Sequence, residues 1–299
     1  MTRQAFVLRD PTGGAINPVV YYDPVARTVS LSNPSCGSGN AVDGGTGSSW
    51  LTVGQTYTVT LTIPANAQDP YGARAIDGQT LDPSQPDTSR VIGFPIVAPT
   101  GGGALVCGPS SPKIHFCADI LFPIFAQKCA SSLCHASPQT AGGGSRPAAD
   151  LILDNYLGVA HTALAVRPSH GSNTGPRVVP GDPGRLFGID MPVIDPGHPA
   201  NSWMLYKLLL AVPSPPAATD GGTTGPNVPV RNNVWAQDDP ERASLSEYML
   251  GREMPYPGGG YAPLTLEELE RVSYWIAQNA PACDCGSASA PPLMDCAAP

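Results

Sequence analysis

Charge is the scarcest commodity in this chain: Asp, Glu, Lys and Arg together make up 13% of its residues, about half the usual share. A coiled coil or a charged helical bundle is thereby excluded. The 16 Lys and Arg are outnumbered by 24 Asp and Glu, for a formal net charge of −8. Nucleic-acid binding needs clustered basic side chains against phosphate, so no nucleic-acid partner is expected; the acidic balance favours cationic partners. No window approaches the ~18–20 consecutive apolar residues of a membrane helix, so the chain should not span a bilayer. G-x-S-x-G, H-E-x-x-H and a phosphate-loop Gly-Lys-Ser/Thr are all missing, which removes the common hydrolase and nucleotide signatures. The triple-glycine runs Gly101–Gly103, Gly142–Gly144 and Gly258–Gly260 lack a strand-to-helix context and read as linkers or turns.

What is abundant is turn chemistry. The 33 glycines and 35 prolines are roughly double ordinary usage. Hydrophobic residues still reach 41%, enough to bury cores, and 299 residues leave room for about two domains. Eight cysteines in a Lys-poor chain point to an oxidising compartment, periplasmic or extracellular, with cell-surface association open. Met1 is followed at once by the strand-like Gln4–Leu8 rather than by a leader peptide. An exported protein needs such a leader, so the expectation is a start truncated relative to the exported chain.

Residues 1–98 read as short strands between turns. Thr56–Ile63 alternates threonines with Tyr57, Val59, Leu61 and Ile63; Val19–Tyr22 and Arg27–Ser32 flank the turn at Asp23, and Val91–Val97 closes the set. Such a pattern predicts an all-β sandwich. Residues 99–112 are a Gly/Pro/Ser linker, 113–282 form a mainly helical, loop-rich domain, and 283–299 are a Cys/Pro-rich tail. Helices are predicted at Ala118–Lys128, Asp154–Ala165, Ser202–Ala211, Glu241–Leu250 and Leu266–Asn279. The last has Thr265 as N-cap with Glu268 completing a capping box, and an apolar stripe of Leu266, Leu269, Val272, Trp275 and Ile276. The order of features in the first third, from Gly13-Gly14 through VVYYD, RTVSLS and GQTYTVTLT to VIGFPIV, resembles bacterial Ig-like domains with their first strand pair absent. That resemblance implies a spacer or adhesion module.

The chemistry concentrates at Cys129-Ala-Ser-Ser-Leu-Cys134-His135, a C-x4-C-H run directly after the first predicted helix. The common haem-attachment signature is C-x-x-C-H: two thiols add to the porphyrin vinyl groups and the adjacent His meets the iron. Here the Cys-His adjacency is kept and two residues are added between the thiols. Far downstream, Met254-Pro255 lies in a Gly/Pro-rich loop just before the last helix, where a thioether could take the other face of an iron and raise its potential. A helix ending in C…CH, a Met-Pro loop and a closing helix with Tyr274-Trp275-Ile276 resemble class I c-type cytochromes, and more narrowly the cytochrome c-like domains of large exported bacterial proteins. Val178-Val179-Pro180-Gly181-Asp182-Pro183 and Ser202 to Leu208 add to the match, which runs from about 113 to 282. The resemblance implies one covalent haem c held by Cys129 and Cys134, with His135 and Met254 as iron ligands. It further implies one-electron transfer with a redox protein partner rather than catalysis.

Other readings stay open at this level. Cys129 and Cys134 could form a local disulfide, giving a haem-free, disulfide-stapled surface or adhesion module. A haem enzyme with a displaceable Met254 is a third reading. Met191-Pro192 rivals Met254, and His161, His170 and His198 are loop or surface histidines that could serve as ligands. Trp275 and Tyr274 read as core residues packing on the first helix. The remaining cysteines are Cys36, Cys107, Cys117, Cys283, Cys285 and Cys296, and they allow fifteen connectivities. In the cytochrome c arrangement the first and last helices cross, which implies a bond from Cys117 or Cys107 to Cys283 or Cys285.

Overall fold

A computed structural model of the chain describes residues 5–32, 51–64, 72–73, 91–96, 113–131, 134–138, 147–166, 191–211, 240–249, 251–256, 262–283 and 285. It divides into two compact units: Met1–Tyr22, Thr28–Ser111 and Asp182–Leu186 in the first, Asp23–Arg27, Pro112–Gly181 and Phe187–Pro299 in the second. Among the described residues no helix is long and apolar enough to cross a membrane.

The first unit is rich in sheet. Strands β1 (Phe6–Arg9), β2 (Ala15–Ile16), β5 (Thr56–Leu61) and β6 (Val91–Pro95) form one sheet in the order β2-β1-β5-β6, while β3 (Val19–Asp23) and β4 (Thr28–Ser32) pair separately. The four-stranded sheet is antiparallel throughout, with Leu8 opposite Ile16 and Val59, and Val59 opposite Ile92. The β1–β2 turn is built by Asp10, whose Oδ1 accepts hydrogen bonds from the Thr12 and Gly14 amides at 2.8 Å each. Asp side chains commonly bond the backbone two residues on in this way, forming an Asx turn. Leu8 and Tyr57 are the buried side chains at the sheet's centre. Gly72 lies so close to Pro64 and the Thr62 carbonyl, 2.8 Å from where a Cβ would stand, that only glycine fits.

The second unit is partly helical. Its first helix, Phe116–Cys129, is wound as a π-helix, far longer than the single turns usual for that conformation. It starts two residues before the predicted Ala118, and Pro123 lies in its interior, where the missing N–H leaves one helix carbonyl without its donor. The buried residues Phe116, Cys117, Ile120, Leu121, Ile124, Phe125 and Cys129 recur at the intervals such a helix turns to one side. Four shorter helices follow: α1 (Tyr156–Thr162), α2 (Trp203–Leu209), α3 (Pro240–Tyr248) and α4 (Leu266–Ala277).

Helix α4 carries the predicted capping box: Glu268 N–H donates to Thr265 Oγ1 at 3.2 Å, and Thr265 N–H to Glu268 Oε2 at 2.7 Å. The same Oε2 also takes the Lys128 ammonium at 2.6 Å, so one carboxylate fastens the end of the first helix to the start of the last. Trp275, fully buried, stacks on Phe116 with centroids 5.5 Å apart and meets Phe125 edge-on at 5.7 Å. At the opposite end the Ile114 amide donates to Gln278 Oε1, and Cys117 is bonded to Cys285. The helix stops where Asn279 takes a left-handed φ of 70°, a frequent helix terminator. The turn Asp23–Arg27 is part of this unit as well; buried Asp23 accepts from the Val25 and Ala26 amides and from Ser273 Oγ on α4.

The packing of the first helix on α4 is expected to dominate the stability of the second unit. Trp275→Ala should cost about 3–5 kcal/mol and Thr265→Ala about 1 kcal/mol, measured by urea denaturation followed through tryptophan-independent far-UV ellipticity.

Candidate functional site

The end of the first helix places Cys129, its last residue, in the protein interior. The chain then doubles back: Cys134 N–H donates to the Ser131 carbonyl at 3.0 Å and His135 N–H to the Cys129 carbonyl at 3.2 Å. That second bond keeps His135 against the helix end although the spacer between the cysteines is long. Both thiols are free, Cys129 buried and Cys134 half-buried. Burial pushes the Cys129 thiol up to about 12, so it rests as a neutral SH.

His135 is 7% exposed. Its Nδ1 lies 3.1 Å from the Ala148 carbonyl, which makes Nδ1 the protonated nitrogen and leaves the lone pair on Nε2. Burial outweighs the pull of the Leu151 and Ala148 carbonyls and holds the imidazole pKa below its ordinary value. The ring is therefore neutral at neutral pH, the form that ligates metals. Its partner carbonyl sits on a tight turn in which Ala149 and Asp150 both have left-handed φ, 56° and 58°. Each such non-glycine residue costs about 1–2 kcal/mol. The segment is further tied by Leu153 N–H to the His135 carbonyl at 2.8 Å.

Met254 reaches the same place from the other end of the sequence. Its amide donates to the Lys207 carbonyl at 3.1 Å, which binds the loop 251–256 to the last turn of α2. In that loop Arg252 Nη1 donates to the Tyr256 hydroxyl at 2.9 Å. Helix α2 is itself oriented by the segment before it, since the Trp203 and Met204 amides donate to the Pro192 and Val193 carbonyls at 2.9 Å each. Across from it, α1 packs so tightly on Ile152 that a Cβ on Gly158 would stand 2.2 Å from Ile152 Cγ2.

These elements enclose a cavity of ≈ 360 Å³, and Cys129, Cys134, His135 and Met254 all line it. The volume is in the range of small-molecule sites, about 300–1,000 Å³. Phe125, Leu153, Val193, Trp203 and Leu208 make most of the wall apolar. The arrangement brings together two nucleophilic thiols, one imidazole lone pair and one thioether. Chemically that is a place to attach an apolar group covalently and to ligate a single borderline-to-soft metal ion. Among the described residues no three His, Cys, Asp or Glu side chains gather as a metal-binding group.

The rival positions part company here. Met191 is buried but does not line the cavity. His161, on α1, is an exposed lining residue, whereas His198 is exposed elsewhere and bonded to the Pro196 carbonyl. His170 lies outside the described residues, as do Cys36, Cys107 and Cys296. The bridge Cys117–Cys285 is one of the four pairings the cytochrome c resemblance implied, and Cys283 is disulfide-bonded too.

One wall residue escaped sequence reasoning: Lys207. It is 7% exposed, and every residue of α2 is buried with it. A lysine inside the run WMLYKLLLA was the available signal, because a helix apolar all round has no solvated face to give it. Burial lowers its pKa to about 8, with the Glu253 carboxylate working in the opposite direction.

No protein-family model, curated protein or solved structure matches this chain.

The depressed Lys207 pKa sets a pH dependence. Below about pH 8 folded and unfolded chains both hold the proton and the cost of burying the ammonium is fully present; between about 8 and 10.5 the unfolded chain binds more proton, so stability rises with pH. Relative to Lys207→Met, the ligand-free protein should gain on the order of 2 kcal/mol between pH 7.5 and 9.5. Chemical denaturation at pH 7.5 and 9.5 checks this, and parallel curves for the two proteins would refute it.

Proposed function

We propose that the second unit is a c-type cytochrome-like domain that carries one covalent haem c and serves one-electron transfer in an exported protein, with the first unit as an Ig-like spacer or adhesion module. A single observation carries the reading: two free thiols, a neutral imidazole and a thioether, drawn from opposite ends of the helical unit, line one apolar cavity.

The residues present fit the group in kind. Cys129 and Cys134 would each add an S–H across one vinyl side chain, sulfur to one carbon and hydrogen to the other. His135 Nε2 is the nitrogen left available by the Nδ1–Ala148 bond, and Met254 Sδ is the soft second donor. When bound, haem supplies a reversible one-electron change at iron, with a thioether ligand favouring the ferrous state. The rest of the chain's work is mechanical and dielectric. Trp203, Leu208 and Phe125 keep water from the walls, and the Lys207 carbonyl and the first helix hold the two ligand segments in register.

The haem-free, disulfide-stapled module shares the Cys117–Cys285 bridge with this reading, but its disulfide between Cys129 and Cys134 is not formed. The two readings separate in one preparation. Full-length protein made with c-type maturation machinery should give a pyridine haemochrome spectrum and the mass of one added haem; Cys129→Ser with Cys134→Ser should lose both. A near-infrared methionine-to-iron band should vanish in Met254→Ala. A colourless protein overturns the proposal, and an unchanged band in Met254→Ala overturns the ligand assignment.

A further inference from the structure

The haem reading uses one imidazole of the cavity wall and leaves a second. His161 lines the same ≈ 360 Å³ chamber as His135 and Met254, from helix α1. That helix is fixed at both ends. Asn155 caps it, its Oδ1 accepting from the Gly158 amide at 2.8 Å, and the glycine lets α1 sit against Ile152. Thr162, next to His161 and itself a lining residue, accepts from the Ile152 amide at 2.9 Å and donates to the Gly158 carbonyl at 2.7 Å. Just beyond, the Ala165 amide donates to the Ile194 carbonyl at 2.8 Å and the Ile194 amide to the Ala163 carbonyl at 3.0 Å. The backbone at His161 is therefore held beside the cavity, while its ring is exposed and has no hydrogen-bond partner among the described residues. Exposed side chains change rotamer in picoseconds to nanoseconds, so this ring is free to turn into the chamber. The other uncommitted donors of the wall are less mobile. Met204 and Lys207 belong to α2, in which every residue is buried, and the Tyr256 hydroxyl accepts from Arg252 at 2.9 Å.

We infer that His161 is a reserve axial ligand: it takes the face of the iron that Met254 vacates and closes that face to outside ligands. This rests on the haem reading and deepens it, by assigning the regulation of the methionine side of the site. A thioether is a soft donor that favours the ferrous state, so its hold weakens when the iron is oxidised, whereas imidazole suits iron. The exchange breaks one iron–sulfur bond, forms one iron–nitrogen bond through the lone pair of a neutral imidazole, and moves no electron. Phe125, Leu153, Val193 and Leu208 make the walls apolar, which leaves a water molecule at the vacated face few groups to bond. With an imidazole on each face no position stays open for a substrate. That separates an electron carrier from a haem enzyme whose methionine is displaceable.

The test uses the full-length protein loaded by c-type maturation machinery, in the ferric state at pH 7.5, read by electron paramagnetic resonance and by the visible spectrum. Met254→Ala should lose the methionine-to-iron band yet stay low-spin, with the signature of two imidazoles. Met254→Ala combined with His161→Ala should become high-spin, and free imidazole added to it should restore the low-spin signal, as an intact pocket requires. Met254→Ala combined with His198→Ala should stay low-spin, because His198 does not line the cavity. A high-spin Met254→Ala, a low-spin signal that survives the loss of His161, or a double variant that imidazole leaves high-spin overturns the role of His161 alone. Absence of haem from the unaltered protein overturns the reading on which it stands.

Discussion

The packing of the first helix on α4 is the constraint on which the second unit depends. Trp275 packs against both Phe116 and Phe125, and Glu268 joins the capping of one helix to the ion pair with the other. The three rings bury about 150–250 Å² each. Because Cys129 is the last residue of the first helix, fixing that helix fixes the start of the cysteine–histidine segment. Backbone hydrogen bonds hold His135 to Cys129 and Leu153 to His135, and separately Met254 to α2.

Backbone rather than side-chain polarity does this positioning, which explains a chain so poor in charge. The turn at Ala148–Asp150 shows the cost of the arrangement. Two consecutive left-handed residues without glycine are tolerated because the Ala148 carbonyl they present meets His135 Nδ1. Local strain and a satisfied buried imidazole occur in the same three residues.

How much of this could be read from the sequence varies with the kind of interaction. The capping box at Thr265 and Glu268 was legible because it depends on residues three apart, and the apolar stripe of α4 because its period is regular. The cysteine–histidine run and Met254 could be singled out by residue type, and the structure brings them to one cavity; that the cavity holds haem is the proposal, not the observation. The π-winding was not legible, since the spacing of Ile120, Leu121, Ile124 and Phe125 also suits an α-helix. Nor was the membership of Asp23–Arg27 in the second unit, which rests on a hydrogen bond to Ser273, 250 positions away. The burial of Lys207 depends on packing around every side of α2, which no local spacing reports.

The bridge between Cys117 and Cys285 spans 168 positions, and every lining residue of the cavity falls inside that span. The whole chamber is thus one covalent ring, in which the loss of chain freedom on closure lowers the unfolded state's entropy by the equivalent of about 5 kcal/mol. A backbone cut at any loop of the ring leaves both fragments on one molecule, and they come apart only when the sulfur–sulfur link is reduced. In a compartment shared with proteases, the walls of the chamber would outlast a severed peptide bond.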